Sequence, residues 1–288
     1  MQGRILVKVL ITGASGQVGS AAVEQFSSDK RNDVVSLSHS ELNIASRSDV
    51  LGALSQLGPN LVINAAAMTN VDACEERTTD AFAINALAVR NLVQGCENIQ
   101  AHLIHLSTDF VFDGNAARPY SEFDITNPLS VYGTSKLGGD NEALSYSRST
   151  VLRVAWVYGN VKGDFFSWVL DGVKDNSITS LIDDQISTPT YSFDIAHVMQ
   201  HCATHRLTGL IHVANEGETT RLEMGKEICN RLSLPHNLSG IPAESLKRPA
   251  RRPAYSALST DALTRTTGII MRPWKESLDD HIKRMQNY

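Results

Sequence analysis

No stretch of this sequence approaches the ~20 consecutive apolar residues that a membrane-spanning helix requires. The opening segment, Met1 to Lys8, carries no long apolar run of the signal-peptide kind, so a cytoplasmic protein with no membrane partner is expected. Cysteine is scarce. The four present, Cys74, Cys96, Cys202 and Cys229, show no paired spacing and suggest neither a disulfide framework nor a cysteine-based zinc site. Basic residues are not in excess: 26 Lys and Arg against 31 Asp and Glu leave a net charge of -5, which disfavours an indiscriminate binder of nucleic acid. Neither internal repeats nor low-complexity segments occur, and 288 residues suffice to bury one large core or two lobes.

Against these absences stand two local patterns. In Val131-Tyr132-Gly133-Thr134-Ser135-Lys136, a spacing of four on a helix stacks the Tyr132 phenol and the Lys136 ammonium on one face. A phenol of pKa ~10 is a poor acid or base at neutral pH, and an adjacent cation brings it towards the working range. Alone, such a pair is usually a solvated helix face. The second pattern is the apolar run Ile5 to Ile11 leading into Thr12-Gly13-Ala14-Ser15-Gly16-Gln17-Val18-Gly19, which reads as strand, glycine turn and helix. Gly13, Gly16 and Gly19 permit in turn a tight bend, close approach of backbone N–H groups to a pyrophosphate, and close packing of helix on strand. Glycine turns also join strands to helices without any ligand. The two patterns in this order point to a nicotinamide enzyme.

Strand-like segments at Ile5 to Ile11, Val34 to Leu37, Leu61 to Asn64, His102 to Ser107 and Thr150 to Val154 alternate with helical ones at Gly19 to Ser27, Arg47 to Leu57, Thr78 to Asn98 and Val131 to Ser147. The alternation predicts an α/β, doubly wound parallel-sheet Rossmann fold, with Gly13 to Gly19, Ala65 to Thr69 and Thr108 to Phe110 converging beyond the strand ends. Beyond Trp156 the pattern is less regular and punctuated by proline, which predicts a smaller C-terminal substrate-binding lobe. A helix over Phe193 to His205 returns the chain to the first lobe. The expected division is a dinucleotide-binding domain of residues 1–155, rejoined by about 191–215, and a substrate-binding lobe of 156–190 and 216–288.

The sequence resembles the extended short-chain dehydrogenase/reductase superfamily and, within it, the dTDP-4-dehydrorhamnose reductase family over almost its whole length. The glycine turn and the Tyr132 segment mark the superfamily. Val62 to Ala67 and Arg153 to Gly159 match as well, and Ser107-Thr108-Asp109-Phe110-Val111-Phe112-Asp113-Gly114, Asp184-Gln185 with Pro189-Thr190, and Arg252-Pro253 with Ser256 are the more specific to the reductase family. The resemblance implies NAD(P)H-dependent reduction of a dTDP-4-keto-6-deoxysugar, most directly dTDP-4-dehydro-L-rhamnose to dTDP-L-rhamnose, by a monomer or homodimer. It implies that Tyr132 donates a proton to the developing alkoxide, that Lys136 keeps the Tyr132 pKa low and holds the nicotinamide ribose, and that Thr108 hydrogen-bonds the carbonyl oxygen. It assigns cofactor contacts to Gly13, Ser15, Gly16, Gln17, Val18, Gly19, His39, Asn43, Ala65, Ala66, Ala67, Asn85, Tyr132 and Lys136. Substrate contacts fall to Thr69, Thr108, Asp109, Phe110, Tyr132, Trp156 and Arg252, with Arg251 the alternative to Arg252.

Related dehydratases place Asp then Glu after the Thr, so Phe110 in the second position disfavours elimination. The family commonly has Tyr there, and further departures are Met68 for an aromatic, Asn43 for Asp, Ser187 for Gly and Asp164 for Asn. The segment Ser36-Leu37-Ser38-His39-Ser40 offers no acidic residue to a ribose before Glu41, which favours NADPH, with His39 or a nearby Arg on the extra phosphate and NADH the alternative. His197, His201 and His205 recur every four residues, but at ~1.5 Å rise per residue the outer two stand about 12 Å apart, too far to share one ion. No metal is expected. An epimerase, another nucleotide-sugar reductase, or a regulatory subunit resembling the methionine adenosyltransferase beta subunit are the competing readings.

Overall fold

The computed structural model describes residues 7–159 and 163–286, so Ile5 and Leu6 of the first expected strand lie outside the described residues. From the start, strands and helices alternate: β1 (Val7–Thr12), α1 (Gln17–Ser28), β2 (Asn32–Leu37), α2 (Arg47–Leu57) and β3 (Leu61–Asn64). There follow α3 (Val71–Glu76), α4 (Thr78–Phe82), α5 (Ala88–Ile99), β4 (His102–Thr108), α6 (Val131–Leu144) and β5 (Ser149–Val154). The single helix expected over 78–98 is divided by a π-turn at Ala83–Leu87. The next stretch holds β6 (Val157–Tyr158), α7 (Phe165–Lys174), β7 (Ser180–Ile182), β8 (Ile186–Ser187), β9 (Thr190–Tyr191), α8 (Ser192–His205) and β10 (Gly209–Val213). Last come β11 (Thr219–Thr220), α9 (Arg221–Arg231), β12 (Ser239–Ile241), α10 (Asp261–Thr267) and α11 (Trp274–Gln286).

Among the described residues, six strands form one sheet in the order β10-β5-β4-β3-β1-β2, parallel throughout. Successive side chains of a strand face opposite ways, so each central strand serves two cores. Val9, Ile11, Ile63, Ile104 and Leu152 pack with Ala22 and Phe26 of α1 and Val198 and Met199 of α8. Leu10, Val62, Leu103 and Val151 pack with Leu54 of α2, Leu92 of α5 and Ala143 of α6. β10 is not among the strands expected from the sequence, because a central His212 breaks its apolar run. That imidazole is buried nonetheless, with Nδ1 3.0 Å from the Tyr120 carbonyl and its ring edge-on to Phe112.

Strand order reverses between β1 and β3, and the crevice at their carboxyl ends is where ligands of such sheets bind. Beside it, a third core is built from Phe166 and Val169 of α7, Leu222 and Ile228 of α9, and Leu278 and Ile282 of α11. Leu263 of α10 and Met271, late in the chain, pack into the first sheet core.

α6 lies unusually close to its neighbours. A Cβ added at Gly139 would stand 2.2 Å from the carbonyl oxygen of Asn85 in the π-turn and 3.2 Å from His105 Nε2. Gly139→Ala should therefore lower stability by about 1–3 kcal/mol through overpacking, read as a fall in the urea midpoint. A rise of about 1 kcal/mol, as helix propensity alone would give, would mean that α6 has room to move away.

Candidate active site

A cavity of about 680 Å³ opens at the strand ends. Gly13, Ser15, Gly16, Gln17 and Val18 line it from the first turn, and His39 and Asn43 from the segment after β2. Ala65, Ala66, Ala67 and Thr69 line it after β3; Thr108, Asp109, Phe110, Tyr132, Lys136 and Trp156 complete the opposite wall. At Gly13, φ is +68° and a Cβ would lie 2.5 Å from the Ala66 nitrogen, so only glycine fits. Gly19 stands behind the cavity, where a Cβ would come within 2.1 Å of the Gly13 oxygen. Gly16 caps α1 without a side-chain hydrogen bond, and the positive end of the helix dipole at this turn suits an anion. This cradle fits a dinucleotide pyrophosphate.

The loop after β3 is held from beneath. Thr12 donates its hydroxyl to Asn64 Oδ1 (2.8 Å), which also accepts the Ala66 N–H (3.2 Å). Asn85, expected to touch cofactor, is not on the cavity wall. It is buried in the π-turn, where its amide accepts from Met68 N (2.8 Å) and donates to the Met68 carbonyl and Ser135 Oγ (3.0 Å each). It positions the wall without forming it.

α6 starts against the end of β4. Ser130 caps it by accepting the Gly133 N–H (3.2 Å), and a Cβ at Gly133 would stand 2.2 Å from the Phe110 oxygen. This close seating brings the Tyr132 ring edge-on to Phe110, with centroids 5.8 Å apart. Thr108 Oγ1 accepts the Phe110 N–H (3.2 Å) and donates to Asp109 Oδ1 (3.1 Å). Burial pushes the Tyr132 phenol above its ordinary range, against its hydrogen bond with Thr108, which pulls it down. Burial lowers the Lys136 ammonium to about 8, opposed by the Asp140 carboxylate. Desolvation dominates at the phenol, while Lys136 Nζ donates to the Leu106 carbonyl (2.6 Å).

Tyr132, Lys136 and Asp140 follow one another at spacings of four along α6. Asp140 Oδ2 accepts from Arg153 Nε at 3.0 Å, and the two side chains are 0% and 4% exposed. Sequence reasoning missed Asp140, although one more step of four along the same face would have found it.

Asp109, expected at the substrate, is 2% exposed and its carboxylate is taken up by protein hydroxyls: Ser256 Oγ donates at 2.5 Å and Ser187 Oγ at 3.3 Å, besides Thr108. Burial raises it to about 6 in spite of them. Ser187, a departure from the family pattern, is thus part of this knot. Arg252 lies outside the first cavity. It lines a second, of about 820 Å³, together with Arg221, Arg248, Gln185 and Trp168. Its guanidinium is bonded to Asp72 (2.7 and 3.1 Å) and the Ala250 carbonyl (2.9 Å). Arg251 is exposed and lines neither. Trp156, at φ +38°, and Phe110 face both cavities. His201 and His205 stack on each other 4.1 Å apart, and among the described residues no group of three His, Cys, Asp or Glu side chains is placed to hold a metal.

A parallel sheet with a glycine cradle and a Tyr–Lys pair on one crevice defines an oxidoreductase fold of the extended short-chain dehydrogenase/reductase class. Within that class the chain belongs to the family described as the RmlD substrate binding domain, whose model matches residues 7–287. It is 33% identical over 279 residues to the spore coat polysaccharide biosynthesis protein SpsK of Bacillus subtilis, covering 96% of this chain and 98% of that one. Its structure is similar to a crystal structure of a dTDP-4-dehydrorhamnose reductase from Clostridium acetobutylicum, with a TM-score of 0.94, 35% identity, and coverage of 97% and 99% of the two chains. It is also similar to the dTDP-4-dehydrorhamnose reductase of Bacillus anthracis in complex with NADP, with a TM-score of 0.93, 29% identity and the same coverage of 97% and 99%.

Because Asp140 and Arg153 neutralise each other in the core, removing one charge strands the other. Arg153→Met should cost about 3–5 kcal/mol, and adding Asp140→Leu should return much of that loss, as measured by chemical denaturation. Equal stability of the single variant and the parent would show the pair to be hydrated.

Proposed function

We propose that this chain reduces the 4-keto group of a dTDP-linked 6-deoxysugar with NADPH, most directly dTDP-4-dehydro-L-rhamnose to dTDP-L-rhamnose. The observation that carries this reading is the meeting of Thr108, Tyr132 and Lys136 on the wall of the cavity that also holds the glycine cradle. Membership of the family supports it, as do the reductase names of the two solved structures and the NADP in one of them.

A nicotinamide, when bound, supplies the hydride. Tyr132 gives its phenolic proton to the alkoxide forming at the sugar C4, a role suited to a phenol that burial keeps protonated until an acceptor arrives. Thr108 turns its hydroxyl from Asp109 to the same oxygen, and the Lys136 cation stabilises the phenolate left behind and holds ribose hydroxyls. At the far end of the cavity Ser38 and His39 form the wall, while Glu41 is turned onto Ser38, accepting from its N–H (2.8 Å) and Oγ (2.6 Å). With that carboxylate engaged off the wall, the extra phosphate of NADPH meets no repulsion, which favours NADPH over NADH.

Residues 1–155 with about 191–215 bind the dinucleotide in this reading, and 156–190 with 216–288 the sugar nucleotide, Arg252 facing its phosphates. A cytoplasmic monomer or homodimer without nucleic-acid or membrane partners completes it; the net charge of -5 and the absence, among the described residues, of a helix long and apolar enough to cross a membrane support that part.

The test follows NADPH absorbance with dTDP-4-dehydro-L-rhamnose, with NADH in parallel. Tyr132→Phe should lower kcat by about 100-fold or more and leave NADPH affinity within about twofold. No oxidation of either nicotinamide by folded protein would refute the reading, and keto-sugar turnover without net NADPH loss would make the protein an epimerase.

The Lys136 ammonium, lowered to about 8, is charged below that pH and neutral above it. Turnover should therefore fall as pH rises through about 8, approaching tenfold per unit. The Asp140 carboxylate favours the charged form, so Asp140→Asn should move the falling limb of kcat/KM to lower pH. An unmoved limb would assign it to another group.

A further inference from the structure

Three residues, Phe110, Trp156 and Arg221, line both cavities and so form the passage between them. Arg221 is the cation of that passage. We propose that Arg221 grips the sugar-side phosphate of the substrate diphosphate, setting the depth to which a nucleotide sugar enters the catalytic cavity. This rests on the reading of the substrate as a nucleoside-diphosphate sugar.

The side chain is held ready for a planar anion. Its guanidinium carbon stands 3.7 Å from the Trp156 ring centroid and 4.6 Å from that of Phe165. Stacking occupies the faces of a guanidinium and leaves its in-plane N–H donors at the edge, in the fork that matches phosphate oxygens. Among the described residues Arg221 has no ion pair or hydrogen bond, whereas Arg252 in the same cavity is engaged by Asp72 and Ala250. Asp109, the acidic group that favours its charge, has its carboxylate occupied by Thr108, Ser187 and Ser256.

Local structure gives no other reason for a cation at this position. Arg221 is the first residue of α9, directly after the Thr220 cap, where the helix dipole opposes positive charge. Burial lowers its pKa to about 9, and Arg248 and Arg252 push the same way. Its platform is strained in turn, since Trp156 adopts φ +38° without being glycine. Half-buried cation, helix N-terminus and two further guanidinium groups all favour an anion at the neck. A substrate whose carbonyl reaches Thr108 and Tyr132 in the first cavity and whose nucleoside fills the second carries its diphosphate through that neck.

Isothermal titration of the full chain with thymidine diphosphate, thymidine monophosphate and NADP tests the assignment. Arg221→Met should weaken thymidine diphosphate by about 10- to 100-fold, while the monophosphate and NADP each stay within about twofold. Arg221→Lys, which keeps the charge and loses the fork, should fall between. In turnover, KM for the keto sugar should rise more than kcat falls. Equal weakening of monophosphate and diphosphate would overturn the inference and make Arg221 a packing residue, and so would unchanged diphosphate affinity. Parent protein that binds NADP but no thymidine diphosphate would overturn the substrate reading and this inference with it.

Discussion

The seating of α6 against the ends of β4 and β5 is the constraint on which the rest of the site depends. Two glycines let the helix approach backbone oxygens where no side chain would fit, at Phe110 and at Asn85. Two buried groups hold it there: Lys136, on the Leu106 carbonyl, and Asp140, on Arg153. Side chains at steps of four along one face then meet the cavity wall, the strand and the core in succession. The geometry of Tyr132 and Lys136 is thus set by atoms on three other elements, and the helix has little freedom to rotate.

Legibility in the sequence followed distance along the chain. The glycine cradle and the Tyr–Lys pair are local spacings whose physics is complete within a dozen residues, and both lie where their motifs imply. β10 was hidden because His212 looks like a break in an apolar run; the Tyr120 carbonyl, ninety-two positions away, and the Phe112 ring help to make its burial tolerable. Asn85, expected on the cofactor, stands behind the cavity wall. Its three hydrogen bonds need a π-turn that propensity does not announce. Arg221 left almost no trace, because its meaning comes from rings and guanidinium groups brought together from several separate segments.

The knot at Asp109 joins the two halves of the site. One carboxylate receives hydroxyls from the end of β4, from β8 and from the segment before α10, so Thr108 is oriented by both sides of the crevice at once. A buried acid without such donors would cost several kcal/mol. Here the hydroxyls offset part of that cost and burial still shows, in an acidity shifted well above the ordinary range for Asp. The serine at position 187 is therefore more than a tolerated replacement for glycine: it supplies one of the three donors.

The return of the chain to the sheet has a bearing on ancestry. α8 covers the face formed by Val9, Ile11, Ile63 and Leu152, and β10 and α10 extend the same layer, yet all three come after α7, which belongs to the third core. A gene fragment ending at Val154 would encode the whole glycine turn and the Tyr–Lys helix while leaving a broad apolar surface bare. The two halves of this molecule are consequently not interchangeable modules. Exchange of everything after Val154 would exchange the helix that covers the sheet along with it.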